Sequence, residues 1–324
     1  MNKIKEPLIQ KRIHLEHRLV FPPMATRTSD DGIPRAETVR HYEEIAKNPL
    51  IGLMITEHSY VALQGKADPN QASFAADDVI AAQSAMTAAI HRANPSLRLF
   101  AQINHAGAFT SREVTGMPLV SASPVQLKEE TARALSIDEI LNLERAFMQA
   151  AVRVKQSGYD GVEIHCAHGY LLNQFYSPLV NRRTDEYGPQ SLENRLRFLI
   201  ETIRLVRGAV GSAYPISVRL GGADYMQGGS TVEDAAAAAK ILSREDIDLI
   251  DLSGGMCRYT REDNQAPGYF SDMSAAVKQC TDLPVMVTGG IRTPEQADQL
   301  IADGKADLVG VGRALWKNPD WGMN

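Results

Sequence analysis

The stretch G-V-E-I-H-C-A-H-G-Y, Gly161–Tyr170, decides how this chain is read. Val162–Ile164 is a short apolar run that reads as a buried strand. Directly behind it come His165, His168 and Tyr170. Three hydrogen-bonding, proton-capable groups packed just past a strand end point to a catalytic rim. Glu163 is expected to alternate to the face of the strand opposite the histidines.

Similar runs recur on both sides of this one. Eight candidate strands are Arg18–Phe21, Gly52–Thr56, Leu97–Ile103, Gly161–His165, Pro215–Leu220, Asp248–Leu252, Pro284–Thr288 and Asp307–Val311. Several are almost wholly apolar, as parallel strands covered on both faces are. Between them lie stretches of helical spacing. After Ser136, apolar residues recur at Ile140, Leu143, Phe147, Ala151 and Val154, near a period of 3.6. Ser136 with Glu139, and Ser230 with Glu233, read as capping boxes. Thr293-Pro294 reads as a cap followed by a proline at the first helical position. Eight alternations in 324 residues point to a (β/α)8 TIM barrel occupying residues 1–324 as a single domain. A doubly wound sheet is the alternative, and it would need a second domain for the last alternations. Leu8–Leu15 alternates apolar and polar residues, which suits a small β-hairpin plugging the barrel floor. Asn104–Ala134 shows weak periodicity and several Gly and Pro. It reads as a long excursion above the third strand that shapes a substrate pocket.

Composition narrows the partners. The net charge is −5 and Lys and Arg are scattered, so neither nucleic acid nor an anionic membrane is expected. The three cysteines stand far apart with no C-x-x-C pair, which argues against a cysteine-built metal or iron–sulfur site and fits a cytoplasmic protein. The charged N-terminus shows no signal peptide, and no run approaches the roughly 20 apolar residues that span a bilayer.

In a barrel, functional groups sit where strands end. T-G-G-I-R after the seventh strand, with Gly289 and Gly290, and G-V-G-R after the eighth, with Gly312 and Arg313, have the features of a phosphate cradle. Glycine lets the backbone approach an anion, and Arg292 or Arg313 adds charge. The same glycines could simply make tight turns. Arg219 ends an apolar strand and needs a partner. It either pairs with Asp224 or Asp251, or faces the electron-rich edge of a flavin ring. Gln102, with one donor and one acceptor end, suits the amide-like edge of the same ring. His165 and His168 read in three ways. One is as core histidines, another is as a metal pair wanting a third ligand. The last is as neutral donors gripping a carbonyl oxygen. Tyr170, protonated at neutral pH, then serves as a proton donor.

Continued through L-L-N-Q-F-Y-S-P-L-V-N-R-R-T-D-E-Y-G to S-L-E-N-R, the central stretch closely resembles the signature of the Old Yellow Enzyme family of FMN-dependent ene reductases. L-V-F-P-P-M-A, A-Q-I-N-H-A-G, I-S-V-R-L, V-T-G-G and L-V-G-V-G-R follow the family's order. The resemblance implies FMN at the carboxyl mouth of the barrel, reduced by NADH or NADPH. It implies an α,β-unsaturated carbonyl compound as oxidant, in a ping-pong cycle. By the same resemblance, His165 and His168 hold the substrate carbonyl and Tyr170 protonates Cα. Gln102 and Arg219 contact the pyrimidine edge of the flavin, and Pro23 and Met24 pack on the ring. Gly289, Gly290, Gly312 and Arg313 take the phosphate. Two positions depart from the family pattern. Ala25 stands where many relatives carry a flavin-tuning Thr or Cys, and His58 stands where a small residue is common, beside the expected flavin. A homo-oligomer is left open. So are a diaphorase or a quinone or nitro reductase on the same barrel and, at greater distance, a phosphate-sugar aldolase or isomerase.

Overall fold

All eight expected strands form, and they close into one parallel barrel. The computed structural model describes residues 2–127 and 129–323. Strands β1 (Leu8–Gln10) and β2 (Ile13–Leu15) form an antiparallel hairpin, with Leu8 opposite Leu15. The barrel strands are β3 (Leu19–Phe21), β4 (Ile51–Tyr60), β5 (Arg98–Asn104), β6 (Gly161–Cys166), β7 (Ile216–Ala223), β8 (Leu249–Gly254), β9 (Val285–Thr288) and β10 (Leu308–Gly310). Each pairs in parallel with its sequence neighbour, and β10 closes on β3.

The hairpin does plug the floor. Leu8, Ile13 and Leu15 pack with Val20, Leu53, Ile55, Phe100, Leu249, Met286 and Leu308 in one buried cluster at the closed end. Truncating a residue such as Leu249 to Ala here would cost about 2–5 kcal/mol. Above this apolar layer the interior turns polar. Gln102, Glu163 and Ser217 lie in register across β5, β6 and β7, and His165, Arg219 and Asp251 lie in register across β6, β7 and β8. The barrel therefore changes character along its axis, and this polarity gradient positions the site.

The helices follow their sequence signals, with one slip. In Ile137–Gln156 the five spaced apolar residues are all buried, and Ser136 and Glu139 form the expected capping box. Thr293 caps Pro294–Ala302, also as expected. The third cap moves by one residue, because Thr231 and Asp234, not Ser230 and Glu233, cap Val232–Leu242. Ser230 is turned inward instead, where its hydroxyl accepts from Arg195 Nη2 at 2.7 Å. The excursion after β5 is more ordered than its sequence suggested. Val120–Ser121, Val125–Gln126 and Thr131–Ala134 form a small sheet over a core of Ala108, Leu119 and Ala132. Of its described residues only Phe109 reaches the cavity at the barrel mouth, because this small core folds the segment onto itself. No helix among the described residues is long and apolar enough to cross a membrane.

Candidate active site

A cavity of about 830 Å3 opens at the carboxyl end of the barrel. The residues expected to be catalytic or to hold the flavin all line it: Pro23, Met24 and Ala25 after β3, His58 from β4, Gln102 from β5, His165, His168 and Tyr170 from and after β6, Arg219 from β7, and Gly289, Gly290, Gly312 and Arg313 after β9 and β10.

The histidine end is held rigidly. His165 ends an interior-facing row of β6 and is 1% exposed. His168 adopts φ +60° and Gly169 φ +74°, a left-handed pair that reverses the chain and returns Tyr170 to the mouth. The amide N–H of His168 donates to the Gly254 carbonyl at 3.1 Å. Its ring Nε2 lies 2.7 Å from Ser253 Oγ. The His165 ring centroid is 5.0 Å from that of His168 and 5.4 Å from that of Tyr170. Burial, followed by the charge of nearby groups, holds both imidazoles well below their usual pKa. They are therefore neutral at pH 7, each with one N–H to donate. Burial raises the Tyr170 phenol, with Arg258 and Arg27 opposing, so it keeps its proton. Among the described residues no group of three or more His, Cys, Asp and Glu could hold a metal ion. That leaves the histidine pair without the third ligand a metal reading needs.

The floor of the cavity corrects one expectation. Glu163 does not face away from the histidines. Residues two apart on a strand share a face, and Glu163 points into the barrel, wholly buried, beneath His165. Its Oε1 accepts from Gln102 Nε2 at 2.9 Å and its Oε2 from Ser217 Oγ at 2.8 Å. With Nε2 so engaged, the Gln102 carbonyl is free for the cavity. Arg219 pairs with Asp251 and not Asp224, its Nε lying 3.0 Å from Oδ2. The contact is close but poorly aligned, and both Asp251 oxygens lack a well-directed hydrogen bond. Burial pushes both carboxyls upward while Arg219 pulls them down. Asp224 serves elsewhere, accepting from Ser177, Ser230 and Met256 at 2.6–2.8 Å. Arg219 is thus half of an ion pair and also lines the cavity.

The glycine end is built by what is missing. A β-carbon on Gly290, at φ +65°, would lie 2.8 Å from the Tyr269 ring, and one on Gly312 would lie 2.6 Å from Met24 Sδ. Arg292, Arg313 and Lys317 line this end, and none joins an ion pair among the described residues. Free cations around close-approach glycines are the features that an anion cradle needs. Thr288 Oγ1 is buried nearby without a partner.

Some of the wall was not legible from sequence. Arg27 and Asp68 face each other across the rim at 3.1 Å, and Gln71 and Lys317 line it from segments that end no strand. No local motif marks any of them. Of the loop after β8, Arg258 and Tyr259 line the cavity. Arg261 is turned away onto Asp263 and Asp272. His105 at the end of β5 is also not on the wall. It is buried against Gly65, its Nδ1 accepting from Gly107 N–H.

A parallel barrel with close-approach glycines and free cations at one side of its mouth and neutral, proton-bearing rings at the other suits a flavin-dependent oxidoreductase. Residues 3–324 match the model of the NADH:flavin oxidoreductase / NADH oxidase family, and the chain belongs to that family, the Old Yellow Enzyme family of its resemblance. It is 36% identical over 316 residues to an NADH oxidase of Thermoanaerobacter brockii, covering 95% of this chain and 48% of the relative. The chain thus spans about half the length of that protein. It is 34% identical over 323 residues to an NADPH dehydrogenase of Halalkalibacterium halodurans, covering 99% of this chain and 93% of the relative. Its structure resembles that of an Old Yellow Enzyme homologue from Zymomonas mobilis, with a TM-score of 0.84, 27% identity, and coverage of 98% of this chain and 90% of that one.

Proposed function

We propose that residues 1–324 form a single FMN-binding barrel that reduces the activated C=C bond of α,β-unsaturated carbonyl compounds with NADH or NADPH, in a ping-pong cycle. The observation that carries this reading is the placement of three neutral proton-bearing rings, His165, His168 and Tyr170, opposite a glycine cradle in one cavity.

The residues present fit FMN. Gly289, Gly290 and Gly312 leave room for a phosphate against the backbone, with Arg292, Arg313 and Lys317 to neutralise it. Gln102 and Arg219 turn an acceptor and a cation toward the middle of the cavity, where a flavin's pyrimidine edge would be held. Pro23, Met24 and Ala25 supply an apolar ledge. Ala25 has no side-chain group to hydrogen-bond the ring. Bound there, FMN supplies the hydride that it has taken from the nicotinamide.

The chain's own residues do the rest. His165 and His168 donate to the carbonyl oxygen of the substrate and so polarise its alkene. Ser253 holds the His168 ring in place. Tyr170 gives its phenolic proton to Cα as hydride reaches Cβ, and recovers a proton from solvent. An aldolase would need a lysine at a strand end, and among the described residues the one lysine on the wall, Lys317, lies in the surface helix Arg313–Lys317. Three unpaired cysteines suit a reducing cytoplasm.

The test is the visible spectrum of the purified protein. A flavin band that bleaches with NADH or NADPH and returns with cyclohexenone is expected. A folded apoprotein that refuses FMN at saturating concentration would overturn the proposal.

A further inference from the structure

We infer that His58 is a third hydrogen-bond donor to the ligand, locked in its Nε2–H form by Gln71, and that the cavity therefore favours alkenes with an acceptor oxygen at each end over alkenes with one. This rests on the ene-reductase reading above.

His58 sits where β4 loses register with β5. Thr56 faces Ala101 and Ser59 faces Ile103, so one extra residue is fitted between them. Such a bulge redirects a side chain, and here it turns His58 onto the cavity wall. The orientation of the neighbouring Gln71 amide is fixed at both ends. Its Oε1 accepts from the Ala67 backbone N–H at 2.6 Å, and its Nε2 donates to the His58 backbone carbonyl at 2.8 Å. A backbone N–H can only donate and a carbonyl can only accept, so the amide cannot be reversed. The same Nε2 lies 2.8 Å from His58 Nδ1, and that ring nitrogen must therefore accept. Asn104 Nδ2 approaches the same atom at 3.3 Å. Burial lowers the His58 pKa to about 4, so the ring is neutral and its single proton is on Nε2. That nitrogen has no partner among the described residues and is not fully buried, so it opens onto the cavity that His58 lines.

Its position sets the chemistry. His58 packs against Tyr170 at 5.2 Å and His165 at 6.3 Å between ring centroids. His168 packs against His165 and Tyr259. His165 and Tyr170 thus stand between two outer donors. A ligand whose alkene bears a carbonyl at each carbon, such as a maleimide or a 2-ene-1,4-dione, can be gripped on both sides of the carbon that Tyr170 protonates. A simple enone uses only one side.

The experiment compares N-methylmaleimide with cyclohexenone in the wild type and in His58→Phe. The ratio of the two kcat/KM values is expected to fall about five- to tenfold, the usual weight of one neutral hydrogen bond. An unchanged ratio overturns the inference, because it places His58 in support of the flavin or the fold. Turnover of neither compound by the FMN-loaded wild type overturns the ene-reductase reading instead. A second measurement needs no cofactor. In the imidazole 15N spectrum of the apoprotein, the proton of His58 is expected on Nε2, and Gln71→Glu, which replaces the donor with an acceptor, should move it to Nδ1. A wild-type proton on Nδ1 would overturn the inference whatever the kinetics show.

Discussion

The two ends of the cavity are made by opposite means. At the histidine end the wall consists of side chains, each pinned by a neighbour: His168 by Ser253, His58 by Gln71, Gln102 by Glu163. At the glycine end much of the wall is backbone, and among the described residues the charged groups there are exposed cations at the rim. Holding an anion needs N–H groups and space, which glycine gives. Moving a proton to one carbon needs a donor fixed in place, which only packed side chains give. Substitutions at the first end should therefore change rates and selectivity. At the second they should change affinity.

The sharpest test of that division is Tyr170→Phe. Reduction of the flavin by NADH or NADPH is expected to survive, while alkene reduction falls about 10²-fold or more, the usual scale for a positioned acid. Stopped-flow traces of the two half-reactions decide it, and equal losses in both would sink Tyr170 as the proton donor. The counterpart at the other end is Gly290→Ala. The left-handed backbone and the Tyr269 ring both oppose a β-carbon there. A strain of about 1–2 kcal/mol predicts FMN affinity lower by about tenfold. Turnover of the FMN-saturated variant should stay near wild type. A variant that binds FMN normally but turns over slowly would break the contrast.

Acid sensitivity should also belong to the histidine end. His58 ionises near pH 4 when folded and near 6.5 when unfolded. Between those values the unfolded chain binds the extra proton, so stability falls as pH drops from 6.5 toward 4 and is constant above. His58→Phe lacks this loss. The melting temperature of the wild-type apoprotein should therefore fall more than that of the variant over this window, by several degrees. The buried carboxyls Glu163 and Asp251, raised by burial, act in the opposite direction. They are common to both proteins and cancel in the difference.

Much of this was legible because strand ends are marked in sequence. An apolar run that stops at His165, Arg219 or Gly289 says where the chemistry must sit once a barrel is inferred. What failed was side-chain direction. Glu163 shares a period of two, and so a face, with His165 against the sequence expectation, and its bonds to Gln102 and Ser217 exist only because three strands lie in register. The bulge that turns His58 inward has no signature, since an extra residue in a strand looks like any other. The cap of Val232–Leu242 slipped because Ser230–Glu233 and Thr231–Asp234 present the same pattern one residue apart. Arg27, Asp68 and Gln71 come to the rim through tertiary packing alone.

The mildest test concerns the group behind the histidines. Ser253 touches no ligand in this scheme. Its hydroxyl lies 2.7 Å from His168 Nε2, and a bond donated to that nitrogen would keep the ring's single proton on Nδ1, for the substrate oxygen. In Ser253→Ala the ring loses that anchor while its neutral state, set mainly by burial, persists. One neutral hydrogen bond is worth about 1 kcal/mol, so kcat/KM for cyclohexenone should fall about fivefold. Ser253→Thr, which restores the hydroxyl, should recover most of it. A loss confined to the alkene half-reaction locates the effect at the substrate oxygen. A loss shared with the nicotinamide half-reaction means that His168 holds the reductant as well, and that both ligands use the same donor in turn.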